Sequence, residues 1–190
     1  MASADTSDSG DAIADAIDLL TRDHRLVEEL FAAFALAAPQ QLEPLARRAC
    51  KMLRVHTQIE EEIFYPVARR VLQDDAIVSE AEREHAEAKQ TIARVESMSS
   101  DNPNFKAVVA ELSSQIAHHV EEEEKDLFPR LRNSGTSFVS LGIALAERRA
   151  TLLDTFGLHA DDEEGAANQR EILQPTRPVV EGRGDARSKQ

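Results

Sequence analysis

The chain has one cysteine, one tyrosine and no tryptophan among its 190 residues, and aromatic side chains make up only 4% of it. A lone Cys50 closes no intramolecular disulfide and builds no cysteine cluster, so any metal here is expected to be held by nitrogen and oxygen. Basic residues are also scarce: 22 Lys and Arg stand against 35 Asp and Glu, a formal net charge of −13. Nucleic acid and anionic membrane surfaces are therefore not expected partners, because both are bound through basic patches. No apolar run approaches the length of about 18 residues that a membrane span needs. Residues 1–11 are small, polar and acidic, with neither a basic start nor an apolar stretch. They carry no mark of a secretion signal, and a cytoplasmic protein is expected.

What remains is rich in Ala, Leu and Glu, with 42% hydrophobic and 30% charged residues. That composition favours helix, and no segment shows the alternation of a strand. The expected fold is all-α, an up-down four-helix bundle with an additional C-terminal helix. Residues 1–10 read as a disordered N-terminus, 11–133 as the bundle, 136–157 as the extra helix and 158–190 as a disordered tail. The first helix, capped by Ser9 or Asp11, carries Ile13, Ile17, Leu20, His24, Val27, Phe31 and Phe34 at alternating steps of four and three, the seam of a bundle. A second helix over about Leu42 to Gln73 places Leu45, Ala49, Met52, His56, Glu60, Ile63, Val67 and Val71 in its seam. The third, capped by Asp74 or Asp75, uses Ile77, Ala81, His85, Ala88, Ile92 and Val95. The fourth, opened by Asn102 and Pro103, uses Phe105, Val108, Leu112, Ile116, His119, Glu123 and Leu127 and ends near Arg132. A fifth helix, Ser137 to about Phe156, either covers the bundle or serves a homodimer or another partner.

The informative feature is a repeat. His56-x-x-x-Glu60-Glu61-x-x-Phe64-Tyr65-Pro66 returns as His119-x-x-x-Glu123-Glu124-x-x-x-Phe128-Pro129, with the histidines 63 positions apart (56 to 119). His24 and His85 follow nearly the same period, 61 positions apart. On a helix, residues four apart lie on one face, so each His-x-x-x-Glu pair aims an imidazole and a carboxylate at one point. An ionised glutamate in an apolar seam must be protonated, paired or bound to metal. Four histidines and two glutamates converging inside one bundle form the inventory of a dinuclear metal site: His24, His56, Glu60, His85, His119 and Glu123. Imidazole and carboxylate suit Fe, Mn or Zn alike.

His118-x-x-x-Glu122 has the same spacing as His119-x-x-x-Glu123. At 100° per residue, however, only His119 and Glu123 share the arc of Leu112 and Ile116, which leaves His118 exposed or behind a ligand. Uniform helical phase places Glu61 and Glu62 in solvent, Phe64 against the pocket and Tyr65 to the side in a packing role. Pro66 is expected to bend the second helix just past the site. Glu82, three before His85, is within reach of the interior. His159 belongs to the tail and is not a ligand.

On His24, on His56 and Glu60 within His-x-x-x-Glu-Glu-x-x-Phe-Tyr-Pro, on His85, and on His119 and Glu123 ahead of Phe128-Pro129, the chain resembles the hemerythrin-like, HHE cation-binding domains over about residues 12 to 132. The resemblance implies a hemerythrin-like four-helix bundle holding two non-haem irons bridged by an oxo or hydroxo group, with terminal histidines and two bridging carboxylates. Oxygen-carrying hemerythrins have a further histidine one turn before the position of His85; here that position is Ala81, and Glu82 is the nearest residue that could supply the missing charge. Redox chemistry with oxygen, nitric oxide or peroxide, or sensing of them, then becomes the expected role in place of reversible carriage. A di-iron peroxidase or oxidase, or a passive iron-handling or regulatory module, are the other functions that fit.

Overall fold

The structure is a computed structural model that describes residues 15–158. Ile13, the Ser9 or Asp11 cap, His159 and the expected disordered segments at either end, apart from Leu158, lie outside the described residues. Among the described residues five helices run α1 (Ala16–Leu36), α2 (residues 39–72), α3 (Asp75–Ser97), α4 (residues 105–133) and α5 (Val139–Thr155).

Each boundary has a local cause. Asp15 caps α1, its side chain accepting the Asp18 N–H at 3.0 Å. The extended Ala37 and Ala38 lead into Pro39, whose fixed φ opens α2. At the end of α2, Gln73 adopts the left-handed conformation (φ 51°), and Asp74 then caps α3 through the Ala76 N–H at 3.1 Å. Arg47 of α2 donates to the carbonyls of Glu96 and Met98 at 2.5 and 3.0 Å, satisfying the otherwise orphaned C-terminus of α3. Asn102 does not cap α4, as its sequence position suggests. It accepts the Asn104 N–H at 2.9 Å, a local turn that contains Pro103, and the helix begins at Phe105.

The helices pair α1 with α2 and α3 with α4, contacts between α2 and α3 and between α1 and α4 complete the bundle, and α5 lies against α1 and α2. Arg132 near the end of α4 reaches Asp15 and Asp18 at the start of α1. Leu145, Leu152 and Phe138 are buried, and Ala16 N–H donates to Phe138 O at 3.2 Å. The fifth helix therefore covers the bundle, the first of the two roles its sequence allows. Among the described residues, no helix is long and apolar enough to cross a membrane.

Both α2 and α4 contain one wide turn. Glu60–Phe64 and Glu123–Leu127 are π-helical, with Tyr65 N–H donating to Glu60 O and Phe128 N–H to Glu123 O. Pro66 and Pro129 sit two positions beyond these turns. A proline ring clashes with the carbonyl four residues back, and a widened turn accommodates it. The extra residue also advances the helical phase. Uniform periodicity from Glu60 puts Ile63, Val67 and Val71 in the seam, yet these are only partly buried, while Phe64, Tyr65 and Ala68 are buried completely or nearly so. At Pro66, where the sequence suggests a bend, the structure adds a change of register that brings Tyr65 inward.

Leu20 in α1 is fully buried, whereas Leu36 at the end of the same helix is 75% exposed. Leu20→Ala should cost about 2–5 kcal/mol of unfolding free energy in urea titrations of the metal-free chain. Leu36→Ala should stay within about 0.5 kcal/mol, and equal effects would contradict this packing.

Candidate metal centre

The six seam residues converge. His24 of α1 and His56 of α2 bring their Nε2 atoms to 3.2 Å, and His85 of α3 and His119 of α4 do the same at 3.1 Å. Glu60 lies between the two pairs, with Oε2 3.1 Å from His56 Nε2 and 3.3 Å from His85 Nε2. Glu123 Oε2 is 3.3 Å from His24 Nε2 and 3.7 Å from His119 Nε2. Two groups of donors result, one of His24, His56, Glu60 and Glu123 and one of Glu60, His85 and His119, with Glu60 common to both. All six side chains are buried.

Behind the histidines stands a closed ring of carboxylates that helical periodicity alone does not predict. Each helix supplies one to the histidine of the next: Asp23 of α1 faces His56 Nδ1, Glu61 of α2 faces His85 Nδ1 at 3.0 Å, Glu84 of α3 faces His119 Nδ1 at 3.0 Å, and Glu124 of α4 faces His24 Nδ1 at 2.8 Å. Three of these are hydrogen bonds. The fourth, at 3.8 Å, is an ionic approach only, and His56 Nδ1 has no hydrogen-bond partner. Each carboxylate has a cation or a further imidazole beyond it. Arg149 of α5 donates to both oxygens of Asp23 at 2.9 Å, Lys89 to Glu61 at 2.6 Å and Arg25 to Glu124, and His118 Nε2 lies 3.4 Å from Glu84.

These contacts set the charges. Burial works against ionisation of Asp23, Glu61 and, more weakly, Glu124, but their imidazole and cationic partners hold all three below the ordinary carboxylate range. An ionised carboxylate at Nδ1 fixes the proton there and turns the lone pair of Nε2 inward. Two facing Nε2 lone pairs at 3.1–3.2 Å repel each other unless a proton or a metal cation lies between or beside them. Glu60 makes the same demand: its side chain is 0% exposed and neither oxygen has a hydrogen-bond partner, nor has Glu123 Oε2. A donor set of imidazole nitrogens and orphaned carboxylate oxygens fits a transition-metal cation, and fits a hydrogen-bonded apolar core poorly.

Three expectations about neighbouring residues are corrected. Tyr65 is not a sideways packing residue: it is fully buried, its hydroxyl donates to Glu123 Oε1 at 2.9 Å and lies 3.3 Å from His85 Nε2. The phase shift of the π turn is the reason. Glu61 does not simply face solvent but backs His85, whereas Glu62 does lie at the surface, paired with Arg148. Glu82 does not reach the interior, because Arg69 holds both its oxygens at 2.8–2.9 Å on the outer side of α3. His118 is 63% exposed and stands beyond Glu84, while Phe64 packs edge-on against Phe128, which stacks on His24. One signal for the carboxylate ring was present in the sequence: all four members adjoin a seam ligand, as Asp23-His24, Glu60-Glu61, Glu84-His85 and Glu123-Glu124.

Without metal, His24 and Glu60 are the groups of the cluster that retain protons more strongly than usual. Against the downward pull of burial, Glu123 and Glu124 push His24 up to about 10. Burial and the charge of Glu123 raise Glu60 to about 7. Burial also acts on Glu123, but the charges of His119 and His24 dominate and hold it below the usual range. Because His24 and Glu60 are raised, the stability they contribute is present at low pH and is lost as pH climbs through about 7 for Glu60 and about 10 for His24. A bound cation would displace both protons, so the rise in melting temperature at fixed free zinc should grow from pH 6 to pH 8.5. A constant or shrinking increment would show that these groups do not meet the metal.

The model of the hemerythrin HHE cation-binding domain family matches residues 15–131. Among solved structures, a hemerythrin HHE cation-binding domain-containing protein from Mycobacterium kansasii superposes with a TM-score of 0.63, covering 85% of this chain and 94% of that one at 17% identity. Among curated proteins, a DNA nickase of Nostoc sp. is 30% identical over 121 residues, which are 63% of this chain but 34% of that protein. The chain thus spans about a third of the length of that relative. The family match runs from the cap of α1 almost to the end of α4 and takes in every residue of the six-membered cluster, and the chain belongs to the hemerythrin HHE cation-binding domain family.

Proposed function

We propose that His24, His56, Glu60, His85, His119 and Glu123 hold two non-haem irons, and that the protein binds, senses or reacts with oxygen, nitric oxide or peroxide there. The observation that carries the reading is Glu60, wholly buried between two imidazole pairs and without a hydrogen-bond partner on either oxygen. Glu60 and Glu123 would serve both ions and the four histidines one pair each. Iron bound in this way would supply one-electron redox chemistry and open coordination positions.

The protein's own residues shape what reaches those positions. Burial and the nearby charges of Glu123 and Glu60 raise Tyr65 well above the ordinary range, so its hydroxyl keeps its proton and donates it to Glu123 as a hydrogen bond. A cavity of about 550 Å³ is lined by Ala81 and Glu123 among others, and it would give a small molecule its route toward the cluster from the α3–α4 side. Ala81 presents only a methyl group where a third imidazole would fill that space. This favours exchange and oxidation over lasting, reversible carriage of oxygen. DNA is not proposed as a substrate, because the nickase similarity is partial and a net charge of −13 opposes phosphate binding.

Protein purified without added metal should carry two irons per chain, and Glu60→Ala and Glu123→Ala should each lose the paired centre. Two irons retained in either variant would exclude a bridging role for that glutamate. Exposure of the fully reduced protein to oxygen should oxidise it, so that evacuation does not restore the starting visible spectrum. A spectrum that returns over several cycles would establish reversible carriage and overturn this part of the reading.

A further inference from the structure

A second imidazole-carboxylate group lies outside the buried cluster, on the face formed by α3 and α4. Glu84, His118 and Glu122 each offer one donor atom within 4.8 Å of the others. His118 Nε2 is 3.4 Å from Glu84 Oε1 and 3.5 Å from Glu122 Oε1. His118-x-x-x-Glu122 repeats the spacing of His119-x-x-x-Glu123 one residue out of register, which turns it from the interior to the adjoining surface.

An exposed histidine between carboxylates is commonly no more than an ion pair. What separates this group is Glu84. Its side chain is only 8% exposed, one oxygen accepts from His119 Nδ1, and the other, Oε1, is buried without a hydrogen-bond partner and faces His118. The desolvation of such an oxygen costs free energy that a cation at this point would offset. The same residues line the cavity of about 550 Å³, with Glu121, Glu123 and Asp126 as further carboxylates. Lys125 is the one ammonium in that lining, and Glu121 pairs with it. The excess of negative charge concentrates cations at the opening.

We propose that Glu84, His118 and Glu122 form a divalent transition-metal site at the mouth of this cavity, from which ions pass inward to the buried cluster. The transfer role rests on the metal-binding reading above; the site itself does not. One imidazole and two carboxylates suit Fe(II), Mn(II) and Zn(II). With two of its three ligands exposed, the site should bind weakly and exchange quickly, as an entry point must. Glu84 joins the two places directly, because its second oxygen orients His119.

The test compares the full chain, stripped of metal, with His118→Ala and Glu122→Gln, both at exposed positions whose replacement leaves the core intact. In equilibrium dialysis against zinc, the parent chain should bind one more ion than either variant. In anaerobic Fe(II) uptake, followed by the iron retained on desalted protein over time, the variants should load several-fold more slowly to the same final buried content. Equal zinc stoichiometry in all three would overturn the site, and equal uptake rates despite unequal stoichiometry would overturn its entry role. Because Glu122 pairs with His118 and the six buried donors are unchanged, the difference in zinc between the parent chain and Glu122→Gln reads the outer group. A buried cluster that took no iron would appear as a common deficit and would count against the proposed function instead.

Discussion

A carboxylate shut away from water, with no hydrogen bond to either oxygen, is the constraint to which the middle of this bundle answers. Glu60 stands wholly buried at the junction of four helices. An ionised side chain in such a place is tolerated only when positive charge lies against it. The surrounding imidazoles supply that charge when protonated, and their inward Nε2 atoms could hold a metal when not. Protons and a metal would compete for one arrangement, and the carboxyl of Glu60, pushed up to about 7, marks the proton-bound alternative.

The imidazoles cannot choose this orientation alone. Asp23, Glu61, Glu84 and Glu124 pass round the bundle, each backing the histidine of the next helix, so the geometry of the cluster depends on all four helices holding their mutual rotation. Counter-ions outside the ring extend this dependence to the surface. Arg149 carries it to α5, which makes the fifth helix a structural participant in the site through Asp23. A helix that covers α1 and α2 for packing reasons also fixes the charge behind His56.

The two π turns link backbone to chemistry. Each begins at a cluster glutamate and ends just before a proline, so the widened turn meets the steric need of the ring and at the same time resets the helical phase. In α2 that reset delivers Tyr65 to Glu123. The consequence is an asymmetric cluster from a nearly symmetric sequence: Glu123 receives the tyrosine hydroxyl, and Glu60 receives none. The cavity beside Ala81 adds to the asymmetry, because Glu123 lines it and Glu60 does not.

Helix content, the pairing of seam positions and the candidate six residues were legible because they depend on periodicity within one helix. His56 with Glu60, and His119 with Glu123, need only a spacing of four and an apolar arc to be placed on an inner face. The choice of His119 over His118 follows from the same arithmetic, and the structure puts them respectively 3% and 63% exposed. The roles of Tyr65, Glu61, Glu82 and the carboxylate ring were not legible, because none follows from uniform helical phase. Tyr65 turns inward only because one extra residue enters the ladder before Pro66. Glu61 and Glu84 adjoin cluster residues in sequence yet serve histidines on other helices, and Glu82 is held outward by an arginine of α2. Spacing along one helix is set by local backbone geometry and is written in the sequence itself, whereas the partner a side chain finds across a helix interface depends on the rotation and register of packed helices, which only the tertiary structure decides.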